Sequence, residues 1–223
     1  MTFLQLCQIV RQECGVQGQG PSSVVGQTGL LKRIVDWVAA ADILIQSKHS
    51  DWDFLWTEYT QDTVIGSDTL VKPNDFGMWD RESFAAGRGT VDGRPLTLVD
   101  YKDWRQNNYL KANQLPTAIT IAPNSNLRLT QPADCTCEIY ACYWKAPTLM
   151  TTNAEVPPYP ERFQRATIAR AKMWFFEDQE AWDNFKLAKD EFEEWMIKLE
   201  GFALPGQQPR SQAQPAQMVV RPL

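Results

Sequence analysis

The chain has 223 residues, of which 43% are hydrophobic and 22% charged, and its formal net charge is −5. This length is enough to bury a core in one or two domains, and the acidic balance argues against a protein that grips nucleic acid through a basic surface. The odd count of five cysteines and an N-terminus that begins directly in a helical pattern favour reduced thiols in a cytoplasmic compartment, without a targeting segment or a membrane span.

Two helices are predicted near the N-terminus. The first covers residues 2–14, with a capping box formed by Thr2 and Gln5 and a C-terminal stop at Gly15. A Gly-rich connection follows, and the second helix covers residues 28–47 with Thr28 as its N-cap. The apolar positions of the second helix form one stripe, namely Leu30, Ile34, Trp37, Val38, Ala41 and Ile45.

The middle of the chain favours short strands separated by frequent turns. Residues 51–64 suit strand or mixed structure, and residues 96–101 suit a strand. The runs 117–121 and 127–130 flank a turn and predict a hairpin. Residues 137–144 predict the longest strand, whereas residues 100–107 also fit a short helix. This pattern is typical of a small antiparallel sandwich or barrel.

Two further helices are predicted after Pro160, which suits a first helical position. They cover residues 160–176 and 179–199, and the pattern leaves open whether they are continuous. The apolar face of the second comprises Trp182, Phe185, Phe192, Trp195, Met196 and Leu199. Its acids, Asp183, Asp190, Glu191, Glu193 and Glu194, are expected to form the solvated side.

The predicted fold class is therefore α+β. Because a helical hairpin cannot bury its apolar stripe alone, we expect residues 1–50 and 155–200 to form one helical bundle. Residues 51–154 are expected to form an inserted β-rich domain with an antiparallel sheet, and residues 201–223 an extended C-terminal arm.

The predicted arm has a distinct composition. Residues 201–223 contain four prolines, five glutamines, two arginines and no acid, which is typical of an extended or disordered segment. The arm nevertheless ends in an apolar run, Met218, Val219, Val220, Arg221, Pro222 and Leu223. It is either a loose tail or a segment that adds a strand to a partner or lies in a partner's groove.

Candidate catalytic groups are sparse, and we expect no catalytic residues, no metal site and no cofactor. His49 is the only histidine and is expected at the surface without a fixed partner. Cys135, Cys137 and Cys142 are too few for a zinc site and are expected to be structural thiols, as are Cys7 and Cys14. The carboxylate groupings Asp51 with Asp53 and Glu191 with Glu193 and Glu194 are interpreted as solvated faces, which leaves a hydrolase as a remote alternative.

Two other patterns have competing interpretations. The sequence Gly87-Arg88-Gly89 lacks the Lys-Ser/Thr of a phosphate loop and is interpreted as a flexible turn. A set of four tryptophans is interpreted as core or subunit contact, or else as a sugar-stacking platform: Trp52, Trp56, Trp79 and Trp104.

Two blocks of sequence carry a family resemblance. The first runs from Gly20 to Val38 and joins a Gly/Pro-rich turn to an amphipathic helix. The second comprises Tyr143–Pro147, Asn153 and the run Val156–Phe163 that leads into a helix. In spacing and residue type the chain resembles the head-to-tail adaptor, or head-completion, proteins of tailed bacteriophages.

The resemblance implies a structural virion protein of the neck region, assembled in the host cytoplasm, that acts by binding and not as an enzyme. Copies would form a ring, expected to be a dodecamer matching the portal, that extends the DNA channel without sequence-specific DNA binding. The partners would be the phage portal protein, a tail nozzle or other tail component, and further copies of the chain. The run Met218–Leu223 would contact the portal. The alternative is a carbohydrate-binding or tail-surface module.

Overall fold

The computed structural model describes residues 1–88, 91–107, 116–133 and 136–204. They divide into two compact units. One comprises Met1–Phe54 with the described residues from Leu149 onward, and the other comprises Leu55–Thr148. The predicted arm begins too early, because residues 201–203 belong to the last described helix, Trp182–Ala203, and are not extended. Residues 205–223, including Met218–Leu223, lie outside the described residues.

The described chain contains helices and strands in the following bounds. The helices are α1 (Phe3–Glu13), α2 (Gly29–Lys48), α3 (Tyr101–Asn107), α4 (Arg165–Asp178) and α5 (Trp182–Ala203). The strands are β1 (Trp56–Asp62), β2 (Thr69–Leu70), β3 (Phe76–Trp79), β4 (Ala85–Arg88), β5 (Val91–Pro95), β6 (Thr97–Leu98), β7 (Ala118–Ile121), β8 (Leu127–Leu129) and β9 (Glu138–Lys145). Short 3-10 turns cover Asp53–Leu55 and Glu161–Phe163. The α+β fold class is confirmed.

The helical unit contains α1, α2, α4 and α5; α1, α2 and α4 contribute to its core cluster, and α5 packs against α4. The predicted capping box of α1 is present, because Thr2 Oγ1 accepts from the Gln5 N–H at 3.3 Å and Gln5 Oε1 accepts from the Thr2 N–H at 2.8 Å. Thr28 occupies the N-cap position of α2, but its side chain makes no capping hydrogen bond. The core draws apolar residues from both ends of the chain, including Phe3, Leu6, Val10, Ile34, Val38, Ile168 and Ala171.

The two C-terminal helices are separate. Glu180 has a φ of +55°, in the left-handed region, and the chain turns there between α4 and α5. The predicted apolar face of α5 is correct for the buried Met196 and Leu199 but wrong for Trp182, which is 57% exposed. Trp182 is the first residue of α5, so its side chain lies beyond the packed part of the helix. Glu191 was expected on the solvated side of α5, but it forms ion pairs with Arg165 and Lys172 on α4.

The β-rich unit consists of two sheets with a core between them. One sheet has the order β1-β9-β4-β5, with β3 also paired to β9, and the other has the order β2-β8-β7-β6. All described pairings are antiparallel except the parallel β6–β7 pair. The predicted hairpin corresponds to β7 and β8, and β9 is the longest described strand. The core includes Tyr59, Leu70, Trp79, Phe84, Ile119, Leu127, Leu129, Ile139 and Tyr143.

Two expectations for this region need correction. The strand predicted at 96–101 is limited to Thr97–Leu98, and the alternative short helix is present as α3. Gly87 lies in strand β4 and not in a flexible turn. A Cβ at this position would lie 2.8 Å from Tyr140 Cε2, so the glycine allows the Tyr140 ring to lie against the strand. Gly89 lies outside the described residues.

Candidate functional site

The two sequence blocks that carry the family resemblance meet at Asn153 in the helical unit. Its side-chain Oδ1 accepts a hydrogen bond from the Val24 N–H at 2.7 Å and another from the Ser23 hydroxyl at 3.3 Å. Its backbone carbonyl accepts from the Leu4 N–H at 3.3 Å. One asparagine thus joins the Gly/Pro-rich connection, the start of α1 and the segment that precedes α4.

Neighbouring contacts strengthen the same junction. The Glu155 carbonyl accepts from the Phe3 N–H at 2.7 Å, and Gln8 Nε2 donates to the Pro21 carbonyl at 2.9 Å. The Glu155 carboxylate accepts from the backbone N–H groups of Thr152 and Thr151, and these hydrogen bonds lower the pKa of Glu155. We call this set of contacts the Asn153 junction.

A buried polar cluster lies between α2 and α4. Asp42 is fully buried and its carboxylate accepts from the Tyr159 hydroxyl at 2.8 Å and from Gln46 Nε2 at 2.7 Å. The Tyr159 hydroxyl also bonds to Thr167 Oγ1 on α4. Burial raises the pKa of Asp42 from 3.8 to about 6, despite the two donated hydrogen bonds. Sequence reasoning missed Asp42, because an acid within an amphipathic helix is usually solvated.

A charge network joins α1, α4 and α5. Lys172 Nζ lies 2.9 Å from both Glu13 Oε2 and Glu191 Oε2, and Arg165 pairs with the same two carboxylates. Burial opposes the ionisation of Glu13, but the hydrogen bonds from Arg165 and Lys172 outweigh it and lower the pKa of Glu13. The alternating charges fix three helices of the unit to one another.

The surface of α5 exposes apolar side chains among acids. Leu187 and Ile197 are each 69% exposed, and Trp182 is also exposed. Asp190 and Glu194 are exposed on the same helix. An outer helix with this mixture of apolar and acidic groups is a candidate interaction surface.

The sequence analysis considered several histidine and cysteine side chains as candidate catalytic or metal-binding groups, and its expectation for His49 was wrong. His49 is half-buried and partnered: its Nε2 lies 3.0 Å from Glu200 Oε1, and its ring meets Trp52 edge-on at 4.9 Å. Cys7 and Cys137 are buried and Cys14 and Cys142 half-buried, all as free thiols, whereas Cys135 lies outside the described residues. Within the described part of the chain no cluster of His, Cys, Asp or Glu has the arrangement of a metal site.

The four tryptophans are mainly core residues. Trp52, Trp79 and Trp104 are buried, and their indole N–H groups donate to the backbone carbonyls of Ile45, Ser125 and Leu129. Trp56 is 44% exposed. The interpretation as core residues is therefore confirmed for Trp52, Trp79 and Trp104.

A cleft in the β-rich unit lies between α3 and the four-stranded sheet. It has a volume of about 320 Å³ and is lined in part by Tyr101, Trp104, Arg128 and Asp68. The rings of Tyr101 and Trp104 stack with centroids 5.4 Å apart, and Arg128 Nη1 pairs with Asp68 Oδ2 at 3.2 Å. Among the described helices, none is long and apolar enough to cross a membrane.

The fold defines the class of protein, an α+β protein of two compact units with exposed apolar side chains on α5. A family model described as SU10 adaptor protein matches residues 1–217, which span both units. The chain therefore belongs to the SU10 adaptor protein family, and the resemblance to bacteriophage adaptor proteins is confirmed. Membership makes it a structural protein of a bacteriophage and a virion component. No curated protein matches the chain.

Proposed function

We propose that this protein is the head-to-tail adaptor of its phage, which binds the portal protein and links it to a tail nozzle or other tail component. The observation that carries the proposal is the family match over residues 1–217, because it includes every described helix and strand. Such a protein acts in the virion neck by binding alone, after assembly in the host cytoplasm.

The adaptor would act as a ring of copies, a dodecamer that matches the portal. A closed ring needs a heterologous interface, in which two different faces of each subunit meet. The exposed Trp182, Leu187 and Ile197 on α5 support this part of the proposal, since exposed large apolar side chains mark candidate contact surfaces.

The ring would extend the channel through which DNA passes. The net charge of −5 supports this role, because an acidic lining repels the phosphate backbone and does not retain it. We expect DNA to pass without sequence-specific binding.

The regions of the chain would have separate tasks. Residues 1–50 and 155–200 would form the bundle that continues the channel, and residues 51–154 the inserted domain that faces the tail component. The arm, and within it Met218–Leu223, would dock on a portal subunit. Because many copies bind at once, a weak contact per arm is sufficient for a stable joint.

Co-sedimentation with the cognate portal ring, followed by electron-microscope class averages of the pellet, tests the proposal. We expect a ring of added density beneath the portal, and the averages give the number of copies. A protein that stays in the supernatant at high concentration would contradict the proposal.

Variants in the arm test separately whether the arm docks on the portal. Deletion of residues 205–223 should leave a folded chain that no longer sediments with the portal. A sharper test compares two double variants of the full-length chain. Val219→Asp with Val220→Asp should abolish docking on the portal. Gln207→Asp with Gln208→Asp adds the same charge and should retain docking. Equal docking by both pairs would refute the role of the apolar terminus.

A second candidate function, carbohydrate binding, has one observation in its favour. The cleft beside α3 combines the stacked ring of Tyr101 with the polar groups of Arg128 and Asp68, a combination that suits a sugar ring. Glycan-array binding by the full chain that is lost in Tyr101→Ala would support it. Absence of glycan binding together with portal co-sedimentation would eliminate it.

A further inference from the structure

The outer face of the five-stranded sheet, which points away from the core of the β-rich unit, carries a line of apolar side chains. Trp56 on β1 pairs in register with Trp144 on β9, and Trp144 pairs in register with Met78 on β3. Trp56 and Met78 are 44% and 39% exposed. The Trp144 indole N–H is buried and has no hydrogen-bond acceptor among the described residues. An exposed apolar line of this kind marks a candidate contact surface.

The rest of this face is acidic. Glu58, Asp62 and Glu138 lie on the outer side of the sheet, because they alternate along their strands with core residues. In the described part of the chain, none of these three carboxylates has a Lys or Arg partner within 4.0 Å. The pKa of Tyr140 on the same face is raised, chiefly by its hydrogen bond to Glu138 and further by the charges of Glu138 and Asp62. We call the apolar line and these acids the acidic face.

The opposite side of the same core is the outer face of the four-stranded sheet. Leu127 and Leu129 on β8 belong to the core, so Arg128 between them points outward, as does its cross-strand neighbour Thr120 on β7. The Trp104 indole N–H donates to the Leu129 carbonyl at 2.9 Å, and the Arg128 guanidinium carbon lies 5.5 Å from the centre of the Trp104 ring. Helix α3 therefore packs on this outward side.

Two clefts adjoin on this second side. The cleft that Arg128 lines lies next to another of about 310 Å³, which is lined in part by Arg81, Thr120 and Ile121. Tyr101 lines both, so the clefts meet at its side chain and form one groove. Thr120 is fully buried, and its Oγ1 has no hydrogen-bond partner among the described residues. A buried polar group without a partner beside a groove indicates a site that a further molecule completes.

The second side also carries cations without partners. Arg81 lines the groove, and Lys102 and Arg105 are exposed on α3. Among the described residues, no carboxylate lies within 4.0 Å of any of the three. The nearby Asp100 accepts from the Lys102 N–H at 2.8 Å, and Asp103 lies on a different side of the helix from Lys102 and Arg105. We call α3, the groove and these cations the cleft face.

The acidic face and the cleft face complement each other. Three acids without cationic partners on one side correspond to three cations without acidic partners on the other, and a line of apolar side chains corresponds to a concave groove with an aromatic wall. Contact between two unlike faces is heterologous, which is the kind of interface that a closed ring needs. Exposure of the acidic face to a water-filled channel would leave its apolar line uncovered.

We propose that the acidic face of one copy docks on the cleft face of the next copy in the ring, an inference that rests on the ring assembly of the proposed function. The acids then lie opposite Lys102 and Arg105, and the apolar line lies along the groove beside Tyr101. The contact joins the β-rich units to one another, in addition to any contact that α5 makes. Each added copy presents one free face of each kind until the ring closes.

Photo-crosslinking of the full-length chain tests this contact. The photoreactive amino acid p-benzoylphenylalanine replaces Thr60, which is exposed on the acidic face. An equal mixture of unlabelled and isotope-labelled chains is irradiated at high concentration, both alone and bound to the portal, and mass spectrometry identifies crosslinks between copies. We expect crosslinks to residues 101–107 of a second copy. Crosslinks that are confined to one chain, or that join position 60 only to other surfaces, would overturn the proposal.

Exchange of charges between the two faces tests its electrostatic basis. Glu58→Lys with Asp62→Lys should reduce the yield of crosslinks between copies at least tenfold, and Lys102→Glu with Arg105→Glu should do the same. All four changes together should restore at least half of the yield, because each face then meets opposite charge again. Damage to the fold cannot produce such a rescue. Loss in both double variants without recovery in the fourfold variant would overturn the proposal.

A matched control and separate measurements complete the test. Glu177→Lys with Glu180→Lys makes the same change of charge at exposed positions of the helical unit and should leave the yield unchanged. The crosslinks of the chain without charge changes test the contact even where a charge variant fails to fold. Glycan binding that is lost in Tyr101→Ala, in a chain without crosslinks between copies, would assign the groove to carbohydrate and overturn the proposal. The expected crosslinks without portal co-sedimentation would support this interface and contradict portal binding.

Discussion

The buried carboxylate of Asp42 gives the sharpest prediction about stability. It is fully buried in the core of the helical unit and accepts hydrogen bonds from Tyr159 and Gln46. Burial raises its pKa from 3.8 to about 6, so the ionised form is costly in the folded state. The change Asp42→Asn keeps the shape and an acceptor oxygen but removes the charge and the titration.

The sign and size of the pH effect on the free energy of unfolding follow from the linkage between proton binding and folding. Because the folded pKa lies above the unfolded one, protonation of Asp42 stabilises the fold. This contribution is fully present below pH 3.8 and is lost as the pH rises through about 6. With those two pKa values the free energy of unfolding of the unsubstituted protein rises by about 1.4 kcal/mol between pH 8 and pH 5 through this group alone. The full difference between the two limits is about 3 kcal/mol.

Urea unfolding of both proteins at pH 8, 7, 6 and 5, followed by tryptophan fluorescence and circular dichroism, measures the effect. The free energy of unfolding of Asp42→Asn minus that of the unsubstituted protein should fall by about 1.4 kcal/mol from pH 8 to pH 5. Other titrating groups are present in both proteins and cancel in this difference. The variant Glu82→Gln, which makes the same kind of change at an exposed position, serves as control for the substitution itself. A difference for Asp42→Asn that is constant with pH, within about 0.5 kcal/mol, would refute the reasoning.

Two further predictions concern the contacts that fix the helical unit. Asn153→Ala removes the acceptor of the Val24 N–H, and we expect a loss of about 1–3 kcal/mol in the free energy of unfolding by urea. Lys172→Met removes the cation between Glu13 and Glu191, and we expect a loss of about 1–2 kcal/mol at pH 7, because the lysine side chain is only 13% exposed. Since the pKa of Glu13 is lowered in the fold, the stabilisation from this network is present above the unfolded value of 4.5 and is lost as the pH falls through the folded pKa.

Matched exposed variants separate these effects from general damage. Gln12→Ala on α1 should change the free energy of unfolding by less than about 0.5 kcal/mol. Lys189→Met breaks an exposed pair with Glu193 and should have an equally small effect. If Asn153→Ala or Lys172→Met costs no more than its control, the corresponding contact does not stabilise the unit.

The parts of the fold that sequence predicted correctly are those encoded by local spacing. The capping box at Thr2 and Gln5 needs only residues three apart, and it is present. The hairpin of β7 and β8 was visible because two short β-type runs flank a turn, in which the Ser125 N–H donates to the Ala122 carbonyl at 2.8 Å. Helical and strand periodicities are local signals, and they located most elements within a few residues.

The parts that sequence did not predict depend on distant partners. Asp42 and Tyr159 are 117 residues apart, and Asn153 and Val24 are 129 apart. No local pattern distinguishes a buried, hydrogen-bonded acid from a solvated one. His49 was expected at the surface for the same reason, because its partner Glu200 lies on α5.

The hydrogen bonds of the Asn153 junction, such as the one from the Val24 N–H, lie within one unit and fix the fold. A match to a family in the sequence blocks that form this junction therefore identifies the family more directly than it identifies a binding partner. Partner choice is expected to depend on side chains that the fold leaves exposed, including Trp56, Glu58 and Trp182. Substitution of Asn153 would therefore impair the proposed portal binding only by weakening the fold. Substitution of the exposed groups can alter binding without unfolding the chain, and it is the appropriate way to test the adaptor proposal.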